Sequence, residues 1–209
     1  MYRVITEKQE QKRGVYMSII NYVVVGSNRI ELPKNWHEIA NELELSEYEK
    51  TLLSMHFGGS NTLASELEYY SKDLTTDWFN LSDDPRTSKV RLYHGRVQYK
   101  THKGDYIKPH IKQRSNNDNH RNVYLSYGHI YLHRLKAWLV YQTIGADMDL
   151  KGLVVHHRLT DETSTIQGNS LDNLVVLTEF EHELLHKLLD KIGDYVRFRV
   201  VQLHLPLSV

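Results

Sequence analysis

The sequence predicts an α+β protein. Three observations carry that expectation: helix-spaced apolar residues between Trp36 and Tyr70, a run of short alternating segments after residue 88, and a last third ordered strand, loop, strand, helix. A chain of 209 residues with 40% hydrophobic side chains is long enough for one ordinary domain or two small ones, with a packed core.

In chain order, "YVVVGSNRIEL" reads as a β-hairpin, two apolar runs around a Gly-Ser-Asn turn. In "PKNWHEIANELELSEYEKTLLSMHF" the apolar positions Trp36, Ile39, Ala40 and Leu43 give one helix. Tyr48, Leu52, Leu53 and Met55 give a second, capped by Ser46. "GGSNTLASELEYYSK" restarts helical spacing from Ser60 or Asn61, with Leu63, Leu67 and Tyr70 on one face. "LSDDPRTSK" has the composition of a linker. The segments "KVRLYHGRVQYKT", "DYIKPHI" and "NVYLSYGHIYLHRL" alternate as strands, and "LKAWLVYQTIG" is a helix ending at a Gly145 cap. "GLVVHHRL" and "LVVLT" are strands. A helix follows from Thr178, where Glu181 completes a capping box, and "DYVRFRVVQLHL" alternates as a closing strand. The expected division is residues 1–85, an N-terminal hairpin and acidic helical module; 86–136, a basic β-rich segment; and 137–209, the part bearing the chemistry.

Formal net charge is zero, yet the charges are segregated. From Glu38 to Asp84 there are 11 acidic residues against Lys50 and Lys72, a net of −9. From Arg86 to Lys136 there are 12 lysines and arginines against Asp105 and Asp118, a net of +10. Such a strip suits a phosphate backbone, since each phosphate neutralised adds affinity; a solvated surface balanced by the acidic segment has the same composition. Tyr124, Tyr127, Tyr131 and Trp138 read as core.

The chain has no cysteine, so disulfides, thiolate metal sites and a cysteine nucleophile are excluded. Any metal must be held by histidine, carboxylate or amide oxygen, and 13 histidines are available. No apolar run is long enough to span a bilayer, and "MYRVITEKQEQKRG" is too charged for a signal peptide. The expected location is therefore the cytoplasm.

His182-Glu183-Leu184-Leu185-His186 spells HExxH, the zinc-protease helix pattern. Histidines four apart share a helix face and can bind one ion. A zinc protease, however, also needs a downstream third ligand. After His186 there is no glycine three residues on, no histidine six on and no further glutamate, leaving Asp190, Asp194 and His204 as substitutes. Their placement beside the Leu184, Leu185, Leu188 and Leu189 stripe, taken alone, favours two solvated histidines. The upstream "VVHH" shifts the balance. Neighbours on a strand point to opposite faces, so at a strand end breaking into a loop one ring can bind metal while the other stays available for proton transfer.

"VVHHRLTDETSTIQGNSLDNLVVLTEFEHELLHK" resembles the ββα-metal motif of HNH endonucleases. That family has a His-His or Asp-His pair, an asparagine in a "DNL" element entering the second strand, and a ligand on the following helix. The matching positions are His156 and His157, Asn173 and His182, with His186 one turn later. Upstream, "GRVQYK", "YIKPHI" and "NVYLSYGHIYLHRLKAW" resemble the segment preceding this motif in phage and intron-encoded homing endonucleases. The likeness covers about residues 90 to 190, and the loop "RLTDETSTIQGNS" is longer than the family's usual turn.

The resemblance implies a metal-dependent DNA endonuclease of phage or homing type. His156, His182 and His186 would hold one divalent cation (Mg, Mn, Zn or Ni). His157 would be the general base, and Asn173 would position it by a hydrogen bond across the two strands; Asn169 is a weaker candidate for the same task and reads better as a loop-turn asparagine. Arg91, Arg96, Lys100, Lys103, Lys108, Lys112, Arg114 and Arg121 would bind double-stranded DNA, and His133 and Arg134 would be chiefly structural. The alternatives are a non-catalytic DNA-binding protein with a degenerate nuclease site and the HExxH protease.

Overall fold

The computed structural model describes residues 11–12, 15–16, 20–25, 28–67, 74–81, 88–113, 123–127, 129–146, 149, 154–159 and 163–204. It is an α+β protein. After a short strand pair, β1 (Gln11–Lys12) with β2 (Val15–Tyr16), comes the expected hairpin of β3 (Tyr22–Val25) and β4 (Asn28–Glu31). Helix α1 (Trp36–Glu42) follows, then α2 (Glu47–Phe57), where Ser46 and Glu49 form a reciprocal capping box. Helix α3 is only Leu63–Glu66, and its cap is Thr62 rather than Ser60 or Asn61. Thr62 also bridges to Val175, which fixes where the helix starts. Tyr70 lies outside the described residues.

The basic segment supplies β6 (Lys89–Tyr93), β7 (Arg96–Lys100) and β8 (Tyr106–Ile107) of an antiparallel sheet whose first strand, β5 (Phe79–Asn80), lies before the expected boundary at 86, and forms a second sheet of β9 (His110–Gln113), β10 (Val123–Tyr127) and β11 (Ile130–Tyr131). Helix α4 (Leu132–Thr143) is capped by Ile144, with Gly145 at φ 77° just beyond, as the glycine-cap pattern predicts. Ile144 is exposed. Tyr127 is core, and its hydroxyl donates to the Val97 carbonyl at 3.1 Å.

Strands β12 (Val154–His157) and β13 (Leu174–Leu177) pair antiparallel, with His156 opposite Val175 and His157 opposite Leu174. Two hydrophobic clusters flank this hairpin. Val175 and Leu177 join β3, α1, α2 and α5 on one side; Val155 and Leu174 join α3, β6 and α4 on the other. Side-chain alternation thus sends successive residues of one strand into different cores. Both cores draw on residues on either side of the expected boundary at 136. The one built on β3 and α2 joins residues between Ile20 and Phe57 to the last third.

The expected closing strand "DYVRFRVVQLHL" is not a strand. Helix α5 runs unbroken from Glu179 to His204, 26 residues. Leu185, Leu188, Leu189, Ile192 and Val196 are buried at helical spacing while Phe198 is exposed, so tertiary burial overrides the β-branched local composition. Beyond Gly193 the helix is held by Glu42, which accepts from the Tyr195 hydroxyl and pairs with Arg199 at 2.9 Å. Gly193 itself marks close packing, because a Cβ there would overlap Val25 Cγ2. Among the described residues no helix is long and apolar enough to cross a membrane.

Gly193→Ala should lower stability by about 1–3 kcal/mol, the usual overpacking cost. That exceeds the roughly 0.5–1 kcal/mol that alanine gains over glycine inside a helix. Urea unfolding checks it: paired with Val25→Ala, the same substitution should turn neutral or favourable, and an equal penalty in both backgrounds would refute the contact.

Candidate metal centre

The tandem histidines lie inside the β12–β13 ladder. As expected, β12 ends at the pair and the chain bends away at Arg158 and Leu159, whose amides are still held by Asn173: Arg158 N donates to its carbonyl at 2.9 Å and Leu159 N to its Oδ1 at 2.7 Å. His156 and His157 therefore face opposite sides.

On one side stand His182 and His186. Thr178 and Glu181 make the expected capping box, which sets the first turn of α5 and so the direction of both rings. The His156 ring lies 5.6 Å from that of His182 and 5.3 Å from that of His186, centroid to centroid. One nitrogen from each of the three falls within 4.8 Å of the others. The Nε2 atoms of His182 and His186 are 3.2 Å apart, close to the roughly 3.3 Å that separates two nitrogens bound to one tetrahedral zinc ion. Three imidazoles and no carboxylate suit a borderline divalent cation such as Zn or Ni; Mg prefers oxygen. Glu183 is exposed and outside this group.

Desolvation favours the neutral form of these three rings. It drives His156, 2% exposed, well below the usual histidine range, with His56, His186 and His182 adding to the effect. His182 is lowered to about 4 by burial and then by His186; His186 is lowered by burial, against the pull of Asp190. Neutral imidazoles offer lone pairs without first losing a proton.

On the other face His157, 5% exposed, packs edge-on against His133 at 4.7 Å. Its Nε2 meets Asn169 Oδ1 at 3.1 Å. Asn169 Nδ2 donates to the carbonyls of Thr163 and Thr165, which fixes its oxygen as the acceptor; His157 therefore carries its proton on Nε2 and its lone pair on Nδ1. Burial lowers His157 to about 4, partly offset by this bond. The expected partner, Asn173, does a different job. Its amide pins the backbone, accepting from Leu159 N and donating to the Gly168 carbonyl at 2.6 Å, because it enters β13 level with the strand end and not with the ring. Asn169, the weaker of the two candidates in the sequence, holds the histidine.

Sequence reasoning missed three residues. Arg158, 1% exposed, donates to the carbonyls of His56, Phe57 and Asp172, satisfying the C-terminus of α2 from the end of β12. Lys136 is buried on α4 and donates to the Asn169 carbonyl; burial lowers it to about 8, against the attraction of Asp172. His56 lies in the last turn of α2 with Nδ1 3.0 Å from His156 Nε2. Their only sequence signal is charge or imidazole in an otherwise apolar context.

Of the expected DNA contacts, Arg91 and Lys100 share the outer face of β6 and β7 with the aromatic rings between them. Arg91 lies 4.5 Å from the Trp78 ring centre and 4.9 Å from that of Tyr93; Lys100 lies 5.8 Å from Trp78 and 5.5 Å from Tyr106. Arg96, opposite Tyr93, is exposed, as are Lys103 and Lys108. Lys112 belongs to β9; Arg114 and Arg121 lie outside the described residues. A cleft of about 860 Å³ bounded by Arg96, Gln98, Lys136, Gln167 and Ser170 leads from this face to the loop carrying Asn169.

Compared with family models, with curated proteins and with solved structures, the chain gives no significant match.

The metal-free protein should lose stability on acidification. His56, His133, His156 and His157 are all held by burial below the unfolded value near 6.5, so below that pH the unfolded chain binds more protons. Stability is fully present above pH 6.5 and falls as pH drops towards 4, by up to about 1.4 kcal/mol per pH unit for each buried ring. Urea titrations at pH 7 and 5 test this, and a flat profile would contradict the burial.

Proposed function

We propose that this protein is a metal-dependent DNA endonuclease of the HNH, ββα-metal type. The observation that carries the reading is the division of labour on one hairpin: His156 meets His182 and His186 on one face, while the adjacent His157 is held in a single tautomer on the other.

In this reading His156, His182 and His186 hold one divalent cation. Bound there, the cation supplies Lewis acidity to the phosphate and to the leaving oxygen. His157 accepts the proton of the attacking water at Nδ1, with Asn169 keeping Nε2 protonated. Burial lowers the basicity of His157 in the free protein; a phosphodiester brought next to the ring raises it again, because an anion favours imidazolium. Lys136 steadies Asn169 by its backbone carbonyl. The basic face bearing Arg91, Arg96 and Lys100 would bind the DNA backbone, with Trp78, Tyr93 and Tyr106 ordering the cationic side chains.

Supercoiled-plasmid cleavage after chelation and re-addition of single divalent metals is the test. His157→Ala should lose about 10²–10⁴-fold in nicking rate, the usual worth of a general base, while still binding metal. Asn169→Ala should lower the rate more than Glu183→Ala, which should leave it nearly unchanged. Full nicking activity in His157→Ala with loss in Glu183→Ala would overturn the assignment of His157 as the base.

The burial of His157 favours one other reading, a DNA-binding protein whose cation only braces the fold. Metal binding and DNA binding without cleavage under any metal would select it. In either case Arg91→Ala and Lys100→Ala should each weaken duplex binding across all sequences and reduce the slope of log affinity against log salt by about 1. An unchanged slope would remove this face from the interface.

A further inference from the structure

We propose that His56, carried by the acidic helical segment, is a positioning residue of the metal centre, orienting His156 through its second ring nitrogen. The inference rests on the metal-centre reading above and adds to it a part for the N-terminal third of the chain.

His56 Nδ1 lies 3.0 Å from His156 Nε2, and both rings are buried, at 4% and 2% exposure. Two imidazole nitrogens at that distance share one proton. A neutral imidazole has one N–H and one lone pair. If the proton sits on His156 Nε2 and is donated to His56, the His156 lone pair is on Nδ1, the nitrogen left for the His182–His186 pair. The reverse tautomer would put a proton on that nitrogen and spoil it as a ligand. Ligating histidines generally donate their second N–H to a fixed acceptor, which sets both tautomer and ring orientation. The acceptor here comes from 100 residues upstream.

His56 is itself held from several directions. Its ring meets Phe57 edge-on at 4.8 Å. The carbonyls of His56 and Phe57 accept from Arg158 Nε at 2.8 Å and Nη2 at 3.2 Å, tying the end of α2 to the residue two places after His156. At Gly59 a Cβ would stand 2.9 Å from Arg158 Nη1, so the chain leaves the helix through a position that accommodates the guanidinium. The α2 terminus and the metal-facing strand therefore move as one unit, and the aim of the His156 lone pair depends on both.

Three variants of the full chain test this: His56→Leu, which fills the space without an acceptor; His56→Asn, whose Oδ1 replaces Nδ1; and His56→Gln, whose amide reaches further out. Zinc affinity is measured by competition with a chromophoric chelator, and unfolding of the metal-free proteins is followed by circular dichroism. His56→Leu and His56→Gln should bind zinc about 10–100-fold more weakly, the usual cost of losing such a support. His56→Asn should stay within a few-fold of the parent, and the cobalt-loaded proteins should keep the same ligand-field spectrum. If His56→Leu does not fold, the contrast between His56→Asn and His56→Gln decides. Equal affinity in all three overturns the inference alone, as does a change of ligand-field spectrum showing that His56 is a ligand. Absence of zinc binding in the parent protein overturns the metal centre, and this inference with it.

Discussion

The antiparallel ladder between β12 and β13 is the constraint from which the rest of the site follows. Its register puts His156 opposite Val175 and His157 opposite Leu174, and side-chain alternation then assigns the two rings to different faces. A slip of one residue would exchange them. That register is held by two separate hydrophobic clusters, one on each side of the hairpin, and by the Arg158 and Leu159 amides that carry the pairing on to Asn173. Core packing and site chemistry are thus specified by the same bonds.

Each face has its own supporting helix. Helix α5, started by the Thr178–Glu181 box, presents His182 and His186 to His156. Helix α4 presents His133 to His157 and Lys136 to Asn169. Desolvation is the dominant electrostatic influence throughout, keeping the buried imidazoles uncharged and therefore able to lie close together without mutual repulsion. The cost of burying the Arg158 cation is met by three carbonyls, two of them from the end of a helix.

What the sequence disclosed was local. The Ser46 and Thr178 caps, the hairpin at Tyr22–Glu31, the strands around the His-His pair and the Gly145 helix end all depend on residues within a few positions of each other, and all appear in the structure. The last segment failed because Val196 and its neighbours fit either period, and only contact with β3 and α2 selects the helix. Asn169 ranked below Asn173 because loop geometry brings it under the ring, whereas Asn173 has the more suggestive position in sequence. His56 and Arg158 join residues about 100 positions apart; no periodicity or spacing encodes such a contact in a single sequence.

The central claim is that imidazoles from β12 and α5 share a single cation. X-ray absorption spectroscopy of the zinc-loaded protein, combined with metal analysis, measures this directly. The account predicts one ion per chain with scattering from three imidazoles, dropping to two in His156→Ala. An ion bound without imidazole, or a first shell unaltered by His156→Ala, would contradict it.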